Sequence, residues 1–238
     1  NNIWRFPVKK FSLLLSVLFL ISCGASVNPQ LKAMVDKQFA QSGQTTYAGT
    51  QKFMKPKPYA VGQYVVMGQT DSDGKKSITR MAIVGKQQGG WIFENYTVSE
   101  SQEGIMQMLI VGLEKVATTG NIDDLDILWV KIKDEKGQIQ TIEGPMLSMM
   151  KGLYKKGLAS VSMKINTYKD GGVIQVPAGI FKGTNVVDTE TTIFGKKTNT
   201  TGWYHYSVPI NGIVKAVDDD GNTLVLLQFG FDAKPMMK

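Results

Sequence analysis

The chain has 238 residues, a formal net charge of +7, one cysteine and one histidine. A single cysteine excludes an intrachain disulfide framework, and a single histidine leaves no His-rich metal motif to build on. The basic residues are dispersed along the chain rather than gathered, which excludes the basic stripe of a nucleic-acid-binding protein.

The first pattern is an export signal. Arg5, Lys9 and Lys10 precede an apolar run from Phe11 to Ile21, broken only by Ser12 and Ser16, and no acidic residue comes before Cys23. A basic segment followed by about 7–15 apolar residues marks a secretory signal, and the run is short of the roughly 20 residues of a spanning helix. Residues 1–22 are therefore expected to be a signal peptide. Their removal lowers the formal charge of +7 by three. Residues 23–58 read as a tether with a short helix, and 59–238 as one β-rich domain.

The residues Leu20-Ile21-Ser22-Cys23 resemble the lipobox of bacterial lipoproteins. By that resemblance the Cys23 thiol takes a diacylglyceryl group, signal peptidase II cuts before it, and the new amino group is acylated with a chain such as palmitate. A single acyl chain binds a membrane reversibly, whereas two or more anchor stably, at about 0.8 kcal/mol per buried CH₂. Lipidation also accounts for the lone cysteine. The partners implied are a membrane, reached through the chains on Cys23, and the lipoprotein-processing and sorting machinery. Gly24-Ala25-Ser26 lacks the Asp that retains many lipoproteins in the inner membrane, which implies an outer-membrane anchor with a periplasmic or surface-facing body.

In the tether region Leu31, Met34, Val35 and Phe39 fall at helical spacing. Lys55-Pro56-Lys57-Pro58 marks an extended linker, because a residue before proline is pushed out of the helical region. Strands follow. Tyr64 to Met67 ends at Asp71-Ser72-Asp73-Gly74; Ile78 to Val84 and Trp91 to Val98 flank Gly89-Gly90. Ile127 to Lys133 and Gln138 to Ile142 flank Asp134 to Gly137, and Gly212 to Val217 and Thr223 to Gly230 flank Asp218 to Asn222. Apolar runs joined by such turn clusters are hairpins. Along the second of them Trp91, Phe93 and Asn95 share one face, with Ile92, Glu94 and Tyr96 on the other. Many short strands with frequent turns point to an antiparallel sheet that is curled or closed.

One stretch is helical instead. Met146, Leu147, Met149, Met150, Leu153 and Tyr154 recur at helical spacing between Pro145, which suits a first helical position, and Gly157, which suits a stop.

The segments Val176 to Gly183, Gly202 to Lys215 and Leu224 to Gly230 resemble uncharacterised bacterial envelope proteins of the half-barrel superfamily of Lol-type lipoprotein carriers. The resemblance extends in order of elements over roughly residues 60–230. It implies a mainly β fold: a strongly curved antiparallel sheet or incomplete half-barrel, with one or two helices as a lid or plug over an apolar cavity. Met146, Met149, Met150 and Leu153 on the Met-rich helix, with Trp91 and Trp203, are then the candidate ligand-contacting residues. Methionine fills irregular gaps and also serves adaptable apolar binding surfaces, so a core-facing helix and a lid read alike in the sequence. Pro177-Ala178-Gly179 and Pro209-Ile210-Asn211-Gly212 read as turns.

No catalytic constellation is present in the sequence. His205 stands alone between Tyr204 and Tyr206, no G-x-S-x-G elbow exists, and Asp218 to Asn222 lacks the distal Glu of a calcium-binding loop. Asp123-Asp124 with Asp126 reads as an acidic turn. The sequons at Asn95 and Asn199 are set aside because a lipobox belongs to bacteria. The expectation is a membrane-anchored lipoprotein without enzymatic activity, cofactor, metal or nucleic-acid partner, holding a lipid or other hydrophobic ligand in a concave sheet. The competing expectation is a structural or surface-interaction lipoprotein that contacts proteins and has no ligand cavity.

Overall fold

The computed structural model describes residues 26–49, 57–119, 121–134, 137–160, 162–193 and 195–237. The expected signal peptide, the lipobox, Cys23, and Lys55 and Pro56 of the expected linker lie outside the described residues.

Helix α1 (Pro29–Phe39) leads into strand β1 (Thr46–Tyr47), followed by β2 (Tyr64–Thr70), β3 (Lys76–Gln87), β4 (Gly90–Ser99) and β5 (Glu103–Val111). Helix α2 (Leu113–Thr119) precedes β6 (Asp126–Lys133) and β7 (Ile139–Ile142), and α3 (Gly144–Ser160) follows. The chain continues through β8 (Ser162–Val176), β9 (Gly179–Ile193), β10 (Lys196–Tyr204), β11 (Ile213–Asp218) and β12 (Thr223–Gly230).

All twelve strands belong to one sheet in the order β1-β9-β10-β11-β12-β2-β3-β4-β5-β6-β7, with β8 on the other side of β9. Neighbours are antiparallel except β1, which runs parallel to β9 at Ile180 and Phe181. The turns carry the chemistry that their sequences call for. Asp71 accepts from the backbone N–H groups of Asp73 and Lys75, and Gly74 takes a φ of 81°. Gln88 and Gly89 both have positive φ between the paired Gln87 and Gly90, the two-residue turn whose twist suits a hairpin.

The sheet buries both faces of its central strands. Over β2, β3, β4 and β12, α1 packs Val35, Leu31 and Phe39 against Val66, Ile78, Val98 and Leu227. Gly68 permits this approach, because a Cβ there would sit 2.6 Å from the Phe39 ring. The opposite face carries one continuous core that joins Val65, Met81, Phe93, Met108, Val130, Phe181 and Leu226 with Leu147 and Tyr154 of α3. Phe181 on β9 and Val130 on β6 have seven strands between them in the sheet order. They share one cluster because the sheet curls around it, and that face is the concave one. The sheet remains open at β7 and β8, so the mainly β architecture is the curved, incomplete barrel with a helical lid that was expected.

Strand direction defines two ends. The β2–β3, β4–β5 and β11–β12 turns lie at one end, and α1 begins there, with the Asn28 N–H donating to the Glu100 carbonyl at 2.7 Å. We call this the α1 end. At the other end α2 and Leu125 close the concave face over Trp91 and Ile110.

Candidate functional site

Helix α3 lies across the concave side of the sheet. Leu147 and Tyr154 are buried, Met150 packs partly buried against the core, and the Lys151 ammonium reaches Asp126 at the start of β6 at 3.0 Å. Met146, Met149 and Leu153 point the other way and are 57%, 60% and 61% exposed. Of the four candidate lid residues, Met150 alone faces the sheet. The other three form an apolar row on the outer surface, three and four residues apart along one side of the helix.

Beneath the lid, strand register orders the concave face. Phe93 is paired with Ile83 and Met108, and Asn95 with Met81 and Met106. Thr97 lies opposite Thr79, and their hydroxyls are 3.3 Å apart. The face is therefore apolar toward α2 and increasingly polar toward the α1 end. Its exposure follows the same direction: Phe93, Met106 and Met108 are buried, whereas Thr79, Thr97, Gln69 and Ile132 are half-buried.

Asn95 is the anomaly of this face. It is 1% exposed, and neither its side-chain oxygen nor its nitrogen has a hydrogen-bond partner. Buried amides are ordinarily paired, because desolvation without compensation is unfavourable. In the sequence Asn95 alternates onto the same face as Trp91 and Phe93, and its sequon gives it no role there. A polar residue interrupting the apolar side of a strand was the available signal.

The two candidate tryptophans are not brought together. Trp91 is on the concave face near the closed end, where its Nε1–H donates to Glu114 of α2 at 2.5 Å and its ring meets Tyr59 edge-on at 6.2 Å. Burial, reinforced by the Glu114 charge, pushes the Tyr59 hydroxyl pKa up to about 12. Burial likewise raises that of Tyr154 above its usual range, with Tyr59 nearby. Trp203 is on the convex face, opposite Val186 and Lys215, with the Lys215 ammonium 5.4 Å from its ring centre. It borders an open recess of about 680 Å³ with Lys169, Asp188, Asn199 and Asp219. The Asp188 carboxylate accepts from the Thr167 and Thr201 hydroxyls, which hold its pKa below the usual carboxylate range.

His205 is engaged on both ring nitrogens. Nδ1 accepts from the Ser207 N–H at 3.2 Å, which leaves Nε2–H to donate to the Lys182 carbonyl at 3.2 Å. This arrangement fixes a neutral imidazole against Phe181, and burial lowers its pKa. Glu94, on the convex face, is also fully buried. Its carboxylate pairs with Arg80 at 3.0 Å and accepts from the Gln107 amide and from the backbone N–H groups of Met236 and Met237. These contacts pin the C-terminal segment to the outside of the sheet. Among the described residues no three His, Cys, Asp or Glu side chains gather as metal ligands, and no helix is long and apolar enough to cross a membrane.

No family model matches the chain, and no curated protein matches it significantly. Several solved structures resemble it at low similarity. A candidate exported protein of Bacteroides fragilis with a YmcC-like fold is 13% identical over 73% of this chain and 97% of that one, with a TM-score of 0.35. A candidate lipoprotein of Parabacteroides distasonis is 14% identical over 77% and 100%, with a TM-score of 0.33. A domain of a candidate outer-membrane lipoprotein-sorting protein of Vibrio parahaemolyticus is 8% identical over 86% and 92%, with a TM-score of 0.26. TM-scores in this range leave the function to be read from the geometry itself.

Proposed function

We propose that this chain is an exported, non-catalytic lipoprotein, anchored in the bacterial outer membrane through Cys23, that holds a hydrophobic or amphipathic chain on its concave face beneath α3. The observation that carries the reading is the pairing of a methionine-rich floor (Met67, Met81, Met106 and Met108) with a helix fastened to it by Leu147, Met150, Tyr154 and one ion pair. Methionine is unbranched and adaptable, so such a floor can accommodate a chain of varied shape. The anchor fits this geometry. Asn28 is five residue steps along the chain from Cys23, a reach of at most roughly 18 Å. An acylated Cys23 therefore holds the α1 end, toward which the concave face opens, close to the bilayer.

Two measurements test the reading. Mass spectrometry of organic extracts from the gently purified protein is expected to return an acyl lipid in near-equimolar amount, and the apolar dye diphenylhexatriene is expected to bind and compete with it. A protein that yields no lipid and binds no dye would refute ligand binding. Separately, labelled palmitate is expected to enter the wild-type chain and not Cys23→Ser; equal incorporation would remove the anchor.

The exposed row Met146, Met149 and Leu153 favours a second reading, in which α3 meets another protein through its outer surface. Met149→Lys with Leu153→Lys separates the two. Under the ligand reading dye binding persists in this variant; under the second, the wild type binds no dye and the variant alone loses a protein partner.

A further inference from the structure

The amide of Asn95 faces an apolar environment with both of its polar atoms unpaired. Its direct neighbours across the two adjoining strands are Met81 and Met106, both unbranched and able to rotate aside. One step along β4 toward the open α1 end lies Thr97, with its hydroxyl beside that of Thr79. One step the other way lies Phe93, beside Met108 and Ile83. Along a single strand the face thus runs from a hydroxyl pair, through an unsatisfied amide, to a buried aromatic and aliphatic surface.

We propose that Asn95, with the Thr79–Thr97 hydroxyl pair beside it, is a headgroup-binding subsite that takes the carbonyl end of a single acyl chain. The hydrocarbon lies along Met81, Met106, Met108 and Phe93 toward the end closed by α2. This assignment rests on the reading that the concave face receives a hydrophobic chain, and it adds the polar group of that ligand and its orientation. The amide matches a carbonyl headgroup because its nitrogen donates and its oxygen accepts. It therefore bonds the carbonyl of a free acid, an ester or an amide, and the remaining acceptor suits an O–H or N–H of the acid or amide form. The placement toward the α1 end also lets the headgroup enter last, so the chain inserts tail first.

The orientation has an energetic consequence. In the closed, unliganded arrangement the amide is desolvated without compensation, and a ligand carbonyl removes that disadvantage. A purely apolar ligand does not. The subsite accordingly discriminates acyl chains from plain hydrocarbons of similar length, and it does so through one residue.

The experiment uses the full chain carrying Cys23→Ser and compares cis-parinaric acid, its methyl ester and diphenylhexatriene as probes. In Asn95→Val the affinity for the acid is expected to fall about tenfold or more, the loss of one well-formed hydrogen bond. Binding of diphenylhexatriene is expected to stay within twofold, and the unliganded variant is expected to melt no lower than its parent. An equal fall for the methyl ester identifies the carbonyl as the recognised group, whereas a fall for the acid alone assigns recognition to the free acid. Unchanged affinity for both acyl probes overturns the subsite while leaving the ligand reading intact. Failure of the parent to bind any of the three overturns that reading and the subsite with it. A lower melting temperature in Asn95→Val overturns the subsite, since the amide is then a structural group.

A measurement without substitution covers the case of a variant that does not fold. The side-chain ¹⁵N amide resonance of Asn95 in the parent chain is expected to shift on addition of lauric acid and not of dodecane. A resonance unmoved by saturating lauric acid refutes the contact.

Discussion

Two helices flank the same sheet from opposite sides, and they are held in different ways. On the convex side, α1 is capped by Asn28, whose side-chain oxygen accepts from the Gln30 and Leu31 N–H groups. It buries Val35 completely, and ion pairs link Lys32 to Glu100 and Asp36 to Lys76. Its one large exposed apolar residue is Met34. On the concave side, α3 carries apolar residues on two sides and buries only one of them. Leu147 and Tyr154 go inward while Met146, Met149 and Leu153 stay in solvent. A helix that is apolar on two sides leaves half of its potential burial unused in any single placement. The contrast makes α1 the more firmly held brace and α3 the more weakly held element.

The largest expected effect is on the brace. Val35→Asp places a carboxylate where nothing pairs with it, in a site with 0% exposure. A loss of about 4–5 kcal/mol of global stability is expected, read from urea unfolding. The counterpart on the lid is Leu147→Ala. Truncating a buried leucine costs about 2–5 kcal/mol, but here the loss is expected to fall on α3 alone. Hydrogen exchange is expected to accelerate for the α3 amides and to remain slow in β2 to β5, with little change in the urea midpoint. If Leu147→Ala lowers the midpoint as far as Val35→Asp, the two helices are equally structural and the contrast fails.

Much of this contrast was legible in the sequence, up to a definite limit. The turn clusters at Asp71 to Gly74 and at Gly89-Gly90 announced hairpins because they carry the residues that positive φ and side-chain-to-backbone bonds require. The spacing of Leu31, Val35 and Phe39 announced α1. In α3 the spacing announced a helix, but Met146, Met149 and Leu153 are as apolar as Leu147, Met150 and Tyr154, so periodicity could not say which arc faces the sheet. β5 was not read at all, since Ile105 to Val111 is a nearly continuous apolar run without alternation. The 15-residue β8 and β9 are rich in threonine, lysine and other polar residues, and their pairing rests on the backbone ladder more than on an apolar pattern. In the turn from Pro209 to Gly212 the positive φ falls on Ile210 and Gly212. Ile210 is a β-branched residue held there by burial in the core, a condition that only tertiary packing creates. The site had the same limit. Trp91 and Trp203 looked equivalent until register placed them on opposite faces, and the unpaired state of Asn95 depends on neighbours from two other strands.

Acidification gives a smaller effect that should leave the difference between the helices intact. His205 directly follows β10, its ring bonded to the Lys182 carbonyl of β9, and its folded pKa is depressed by burial, with the Lys57 charge adding to the shift. A histidine held neutral in the folded state contributes stability that is complete above its unfolded pKa of about 6.5 and is lost as pH falls through the lower folded value. Stability is therefore expected to decline below pH 6.5 in the wild type and to decline less in His205→Gln. Thermal melts across that range check it. Both helices should loosen together; selective release of α3 would instead tie the lid to this loop.

The smallest effect addresses the lid alone. The Lys151–Asp126 pair is partly exposed, with 27% and 42% of the two side chains accessible, so its contribution is at most about 1 kcal/mol. Asp126→Asn removes the charge but keeps an oxygen to accept the Ile127 N–H, so the start of β6 should hold. A lid retained partly by this pair should release diphenylhexatriene faster, by up to about fivefold. The melting temperature should not move measurably. The increase should vanish at high salt, where the wild-type pair is itself screened and both proteins release the dye at the same rate. Unchanged release at low salt would mean that the ion pair plays no part in holding α3, leaving Leu147, Met150 and Tyr154 to fasten it through apolar contact alone.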